Sequence, residues 1–198
     1  MGLLDLITGG KGLRKPTRIR HQGQKLSDIL EAHNNHFLGK GGKRADLTGA
    51  DLKLADLRHA NLSGAILDRA NLDGANLQQS KLTHASLAGA QLRGADLRNT
   101  DLTEADLPGA NLSEAQASGV EFFRCDLSNA DFRRANLRNA NFRLANIRGA
   151  QFTGADMGVT ILRETNLEGV DLSGVDLTTT LLPKGYTRPA APAQTHQP

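Results

Sequence analysis

The chain has no tryptophan, one tyrosine and one cysteine among 198 residues, and aromatics make up 4% of it. A globular core normally draws much of its buried area from aromatic rings. This chain must bury small and aliphatic groups by another plan. With Cys125 alone, no internal disulfide can form, and nothing demands an oxidising compartment. No stretch approaches the roughly 20 apolar residues of a transmembrane helix. The opening MGLLDLITGG lacks the long apolar segment and small-residue cleavage site of a signal peptide. Leu6 stands where a myristoylation signal needs Ser or Thr. The cytoplasm is therefore the expected location.

Charge is unevenly spread. The net charge is +3, yet residues 1–44 carry nine Lys/Arg against three acids, Asp5, Asp28 and Glu31. Residues 45–182 carry 13 Lys/Arg against 18 Asp/Glu. A basic segment precedes a mildly acidic body, and the overall charge averages two different surfaces.

Gly is abundant, at 21 residues, and the body repeats. Read in fives from Ala45, it runs ADLTG, ADLKL, ADLRH, ANLSG, AILDR, ANLDG, ANLQQ and keeps that register to Leu182. Central residues from Leu47 to Leu182 mark 28 pentads without an insertion. Nearly all centres are Leu or Phe; Ile147, Met157 and Ala117 are variants. Two residues earlier sits Ala or another small group, such as Ser80, Thr100, Val120 or Cys125. The residue between is usually Asp or Asn.

This A-(D/N)-L-x-x pattern resembles the pentapeptide-repeat family over residues 45–182. The resemblance implies a shape and carries no function-defining motif. Physical reasoning reaches the same shape. If five residues form one side of a square, four sides close a coil of 20 residues, the unit length of a solenoid. Centre and small residue point inward; the other three face solvent. Stacked coils pair as parallel strands about 4.8 Å apart, with right-handed crossovers favoured. The expected fold is thus an all-β solenoid, a right-handed quadrilateral parallel β-helix of about seven coils, roughly 34 Å long at that spacing. Gly recurs two residues after the centre, for instance at 49, 64 and 74, which marks corners with positive φ. Residues 20 apart should touch, so Phe122 should stack on Phe142 and Phe132 on Phe152. Ala117 would offset the bulk of Phe122 in its coil.

A solenoid needs its ends covered. KLSDILEAHNNHFL, residues 25–38, places Leu26, Ile29, Leu30, His33, Phe37 and Leu38 at helical spacing, with Ser27 as N-cap and Gly39 as the stop. This predicts an amphipathic helix over the first coil. The expected organisation is a flexible basic arm over 1–24, a capping helix and link over 25–44, the β-helix over 45–184 and a disordered Pro-rich tail over 185–198. Leu181, Leu182 and Tyr186 could fold over the last coil, or that end could meet a second copy in an end-to-end homodimer.

The residues offer little chemistry. Cys125 takes a small inward position and reads as a core thiol. His33 and His36 share a helix face but have no third ligand at metal spacing. GKGGKR, residues 39–44, lacks the phosphate-loop pattern. No catalytic residue, cofactor site or metal site is assigned, and an enzyme is not expected. Asp and Asn columns, such as Asp51, Asn71, Asn111 and Asp131, admit two readings. They can serve local hydrogen bonds near turns. They can also imitate DNA phosphates, and the resemblance implies this for the quinolone-resistance members that bind DNA gyrase. The weak net acidity, the unbroken register and the Pro-rich C-terminus in place of that group's dimerisation helix stand against the second.

One cluster stands out. Arg133, Arg138, Arg143 and Arg148 are five apart, and Arg134 adjoins them. Each of the four follows a centre, so they should ring the rod on four successive sides. They read either as a solvated ring paired with Asp131 and Asp126, or as a belt where an acidic protein partner docks. The basic arm could sit on nucleic acid or on an anionic membrane surface by charge alone; the body offers little to nucleic acid, with Phe123 and Tyr186 its candidate surface aromatics. The expected function is a non-enzymatic protein-interaction scaffold. The alternatives are a DNA-mimic modulator of gyrase or another DNA-binding protein, and a membrane-peripheral module held by residues 1–24.

Overall fold

The structure is a computed structural model and describes residues 12–187. A five-residue turn unit dominates it, and in a typical pentad every backbone N–H has an acceptor. The centre donates to a carbonyl 19 residues on, as Leu47 N–H does to the Ile66 carbonyl at 2.7 Å. The residue before the centre donates 21 residues back, as Asn71 does to Ala50 at 2.9 Å. The corner residue also reaches the next coil, as Gly49 does to Asp68 at 2.8 Å. The small inward residue closes a tight turn onto the preceding centre, as Ala50 does to Leu47 at 3.0 Å. Only the residue after the centre lacks a backbone acceptor, and the Asp or Asn side chain supplies one. Thr48, Ser63, Ser113 and Arg133 donate to Oδ1 of Asp46, Asn61, Asn111 and Asp131 at 2.9–3.1 Å. The Asx preference thus follows from the turn, because a short side-chain oxygen two residues back is placed to meet that N–H.

Exceptions support this account. Ser86 and Gln91 stand where Asx is usual, and the N–H groups of Ala88 and Arg93 two residues later still find a carboxylate. Asp68 and Asp73, one coil earlier, accept them at 3.1 and 3.0 Å.

Parallel bridges link residues 20 apart from Asp46–Ile66 to Ile161–Leu181 and give the coil its four sides. All centres from Leu47 to Leu162 are buried, and Leu172 and Leu177 are too; Leu167 and Leu182 are half-buried. Each buried Leu or Phe contributes roughly 1.5–3 kcal/mol. The expected ring stacks are present. Phe122 and Phe142 lie 4.8 Å apart at 29°, and Phe132 and Phe152 lie 5.2 Å apart at 2°. The two stacks meet edge-on at 5.6–6.1 Å and fill the axis of the rod. Ala117 is fully buried in the coil of Phe122.

Hydroxyl groups at inward small positions add a brace between coils. Thr100, Thr160, Thr165 and Thr180 each donate to a carbonyl 23 residues back, at 2.6–2.9 Å. Cys125 does the same, its Sγ 2.8 Å from the Leu102 carbonyl. Burial pushes its thiol pKa up to about 12, so it stays a neutral donor.

The basic segment before the helix departs from the expected flexible arm in its described part. Arg14 adds a strand residue beside the first coil, donating to Leu54 at 2.7 Å and accepting from Asp56 at 2.9 Å. Its guanidinium reaches Asp51 at 3.0 Å. A 3-10 turn, Pro16–Arg18, leads to a small hairpin of β1, Arg20–His21, and β2, Gln24–Lys25. Ile19, just before β1, is buried in the core. Backbone pairing to the first coil and one buried isoleucine fix what charge composition alone read as solvated. Residues 1–11 of that arm and 188–198 of the Pro-rich tail lie outside the described residues.

Helix α1, Leu26–Phe37, follows directly. Its N-cap is Lys25, without a side-chain cap; Ser27, expected there, bonds Asp28 instead at 2.9 Å. Leu26 and His33 are buried, and Ile29 and Leu30 pack on the core half-buried. His33 Nδ1 accepts the Ala45 N–H at 3.1 Å, joining the helix to the first coil. Burial, then the neighbouring His36, lowers its pKa. Phe37 and Leu38 do not join the core. They are 60% and 54% exposed, at the last helical residue and its C-cap. At the other end, Leu182 and Tyr186 pack half-buried against the last coil.

Candidate partner-binding surface

The five arginines of residues 133–148 occupy four successive sides of the rod, as five-residue steps require. Arg133 grips Asp131 with two nitrogens, Nε at 2.9 Å and Nη2 at 2.6 Å. This contact holds the Asp131 carboxyl below the usual carboxylate range, chiefly through the side-chain hydrogen bond. Arg138 reaches Asp156 at 3.3 Å and Arg143 reaches Glu164 at 2.9 Å. Asp126, expected to pair with the ring, instead accepts the Asn146 side-chain amide at 3.0 Å. Arg134 and Arg148 form no ion pair among the described residues. The exposed pairs stabilise little, because water screens them and ordering the long side chains offsets the attraction. Their effect is on surface character, since three of the five charges already face an acid.

Arg143 has a second neighbour. Phe123 points outward, one residue after its centre, where nearly every other pentad has a polar group. The Arg124 guanidinium lies 5.1 Å from its ring centroid and that of Arg143 lies 6.0 Å away. Arg124 also pairs with Glu104 at 3.3 Å. Leu144 stands on the corner one coil beyond Arg124 and is 45% exposed. The rod therefore carries an aromatic–cationic patch here, framed by Glu104 and Glu164. Its signal in the sequence is phase alone: Phe123 and Leu144 break the rule that outward positions are polar.

Next to the patch the coils part. The bridges that join Asn141 to Ile161 and Gln151 to Asp171 skip the side between them, so Asn166 is unbridged. A cleft of about 430 Å³ opens there, lined by Ala145, Asn146, Arg148, Asn166, Glu168 and Gly169. Arg148 thus lies at a groove mouth and not on a flat sheet.

A family model for pentapeptide repeats matches in eight copies, over residues 43–79, 85–124, 121–158 and 160–182. The chain belongs to the pentapeptide-repeat family. Solved structures of pentapeptide-repeat proteins are similar to it. Rfr23 from the cyanobacterium Cyanothece 51142 shares 25% identity over 62% of this chain and 90% of its own, with a TM-score of 0.41. HetL from Nostoc sp. strain PCC 7120, involved in heterocyst differentiation regulation, shares 28% over 73% and 88%, with a TM-score of 0.30. QnrB1, a plasmid-mediated fluoroquinolone resistance protein, shares 20% over 66% and 88%, with a TM-score of 0.44. No curated protein matches the chain. Family membership accounts for the coil; the outward residues of each pentad are what this member adds.

Proposed function

We propose that this chain is a non-enzymatic protein-interaction scaffold, a rigid rod that presents the patch around Phe123 to a protein partner. The observation that supports it is the outward Phe123 between Arg124 and Arg143. A half-buried ring flanked by guanidinium groups is the composition favoured at the centre of protein interfaces. The arginines select a partner segment with acidic side chains, which would exchange for the exposed Glu104 and Glu164 contacts at small cost.

A DNA-mimic role toward gyrase has less support. The carboxylates of Asp46, Asp96, Asp101, Asp126 and Asp131 accept the backbone N–H two residues on and are aimed by the turns. A supercoiling assay with purified gyrase should show no effect at large molar excess.

The test of the main reading is affinity capture from the host lysate, with wild type and two variants, Phe123→Ser and Arg138→Glu/Arg143→Glu. The expected result is a discrete protein recovered by wild type and lost with both variants. Equal recovery by all three would overturn the reading.

A further inference from the structure

The N-terminal end of the rod carries a second surface with different chemistry. Phe37 and Leu38 are adjacent and are the most exposed large hydrophobic residues among those described, at 60% and 54%. They follow the α1 stripe that covers the first coil but take no part in it. The chain then folds back along the helix. Lys40 N–H donates to Asn35 at 2.8 Å and Lys43 N–H to Ala32 at 3.3 Å. Gly42 permits this approach, because a Cβ there would collide with the Ala32 carbonyl. Lys40 and Lys43 are thereby held at the same end of the rod as the apolar pair, while the Arg44 guanidinium bonds the Gly64 carbonyl. Every residue from His36 to Arg44 is exposed, so the segment is a protruding tip and not a groove.

Charge reinforces the tip. Residues 12–44 hold eight Lys/Arg against Asp28 and Glu31. Lys15, Arg18, Lys25, Lys40 and Lys43 are exposed and form no ion pair among the described residues. Since Arg14 and Ile19 tie this segment to the first coil, its charge belongs to one ordered end of the rod.

We propose that this end docks on an anionic lipid surface, with Phe37 and Leu38 entering the headgroup region and the lysines lying over anionic headgroups. Phosphates on a nucleic acid would satisfy the lysines but leave the apolar pair in water. A bilayer interface takes both, since it offers negative surface charge and an apolar layer a few ångströms deeper. The surface is separate from the Phe123 patch, and neither proposal depends on the other.

The test is co-sedimentation of the full chain with phosphatidylcholine vesicles, with and without phosphatidylglycerol. Wild type should bind the anionic vesicles, weaken as salt rises and ignore the neutral ones. Lys40→Gln/Lys43→Gln should lower the partition coefficient about thirtyfold. Phe37→Ser/Leu38→Ser should lower it by roughly tenfold or more. Both variants change exposed residues, so their melting curves should match wild type. Arg138→Glu/Arg143→Glu should bind vesicles as wild type does. Absence of binding at low salt would overturn the proposal. So would unchanged binding by the Phe37/Leu38 variant, loss only when residues 1–11 are removed, or equal affinity for duplex DNA with the same dependence on Phe37 and Leu38.

Discussion

Val159 is the corner where the sequence and its coil disagree. The corner phase takes positive φ at glycine and non-glycine residues alike, as at Gly154, φ +72°, and Glu164, φ +63°. In DMGVT the glycine arrives one residue early, and a β-branched valine holds φ +59°. The coil leaves it no alternative. Thr160 N–H closes the turn onto Met157 at 3.1 Å, and Leu181 N–H bonds the Thr160 carbonyl at 2.8 Å. The Val159 N–H itself has moved off the usual carbonyl and onto Thr179 Oγ1 at 3.1 Å.

Val159→Gly should therefore stabilise the rod. A left-handed conformation costs an L-residue about 1–2 kcal/mol, and branching at Cβ places valine at the upper end. Glycine removes that cost but gains about 0.5–1 kcal/mol of unfolded-state entropy. Val159 is 42% exposed, so few contacts are lost. The net gain should be about 0.5–1 kcal/mol, or roughly 2 °C in melting temperature for a chain of this size. A matched control reverses the sign. Gly94 has φ +62° and open space where a Cβ would stand, so Gly94→Val imposes strain without a clash. It should cost about 1 kcal/mol. Thermal melting by circular dichroism reads both. Hydrogen exchange gives a sharper view, because a repeat rod loosens locally. Exchange at Ile161 and Leu181 should slow in Val159→Gly. Equal signs for the two variants, or a less stable Val159→Gly, would refute the strain argument.

Three further outcomes follow from the packing and the ionisable groups. Phe142→Ala removes a ring that touches Phe122, Phe132 and Phe152, and should cost about 3–5 kcal/mol in denaturant unfolding, against about 1–1.5 for Phe142→Leu. Cys125 should resist a thiol reagent in the native state and react only as fast as its coil opens, since its thiol is pushed up to about 12; prompt labelling at neutral pH would contradict its buried bond to Leu102. Stability should fall in two stages on acidification. His33 is lowered when folded, so the unfolded chain takes up its proton first and stability declines as pH drops below about 6.5. Asp56 and Asp131 are also lowered when folded, by Arg58 and Arg133, so their contribution is present above about pH 4 and is lost as pH falls through their folded values. Melting curves from pH 7 to 3 should show both, and His33→Gln should flatten only the first.

What the sequence makes legible is what repeats. Register alone predicts the coil, the inward Ala and Leu positions and the Phe stacks at a spacing of 20, because each pentad sees the same neighbours. It admits the correct reading of the Asx column too, once each backbone N–H is asked for an acceptor. The ends and the phase errors are another matter, because no periodic rule governs them. The basic segment looks solvated by composition, yet one strand residue at Arg14 and one buried side chain at Ile19 fix it. Phe37 and Leu38 continue the helical stripe on paper, yet both stay exposed at the end of the helix. The same reasoning separates structure from function in this chain. A residue that obeys the pentad rule is explained by the coil and carries no further information. Phe123, Leu144, Phe37 and Leu38 are apolar at positions where the pentad rule or the helix stripe does not bury them. These positions, with the exposed Val159 and Leu181, and not the conspicuous arginine ring, are where the chain departs from the pentad rule, and they are where substitutions test the proposed contacts.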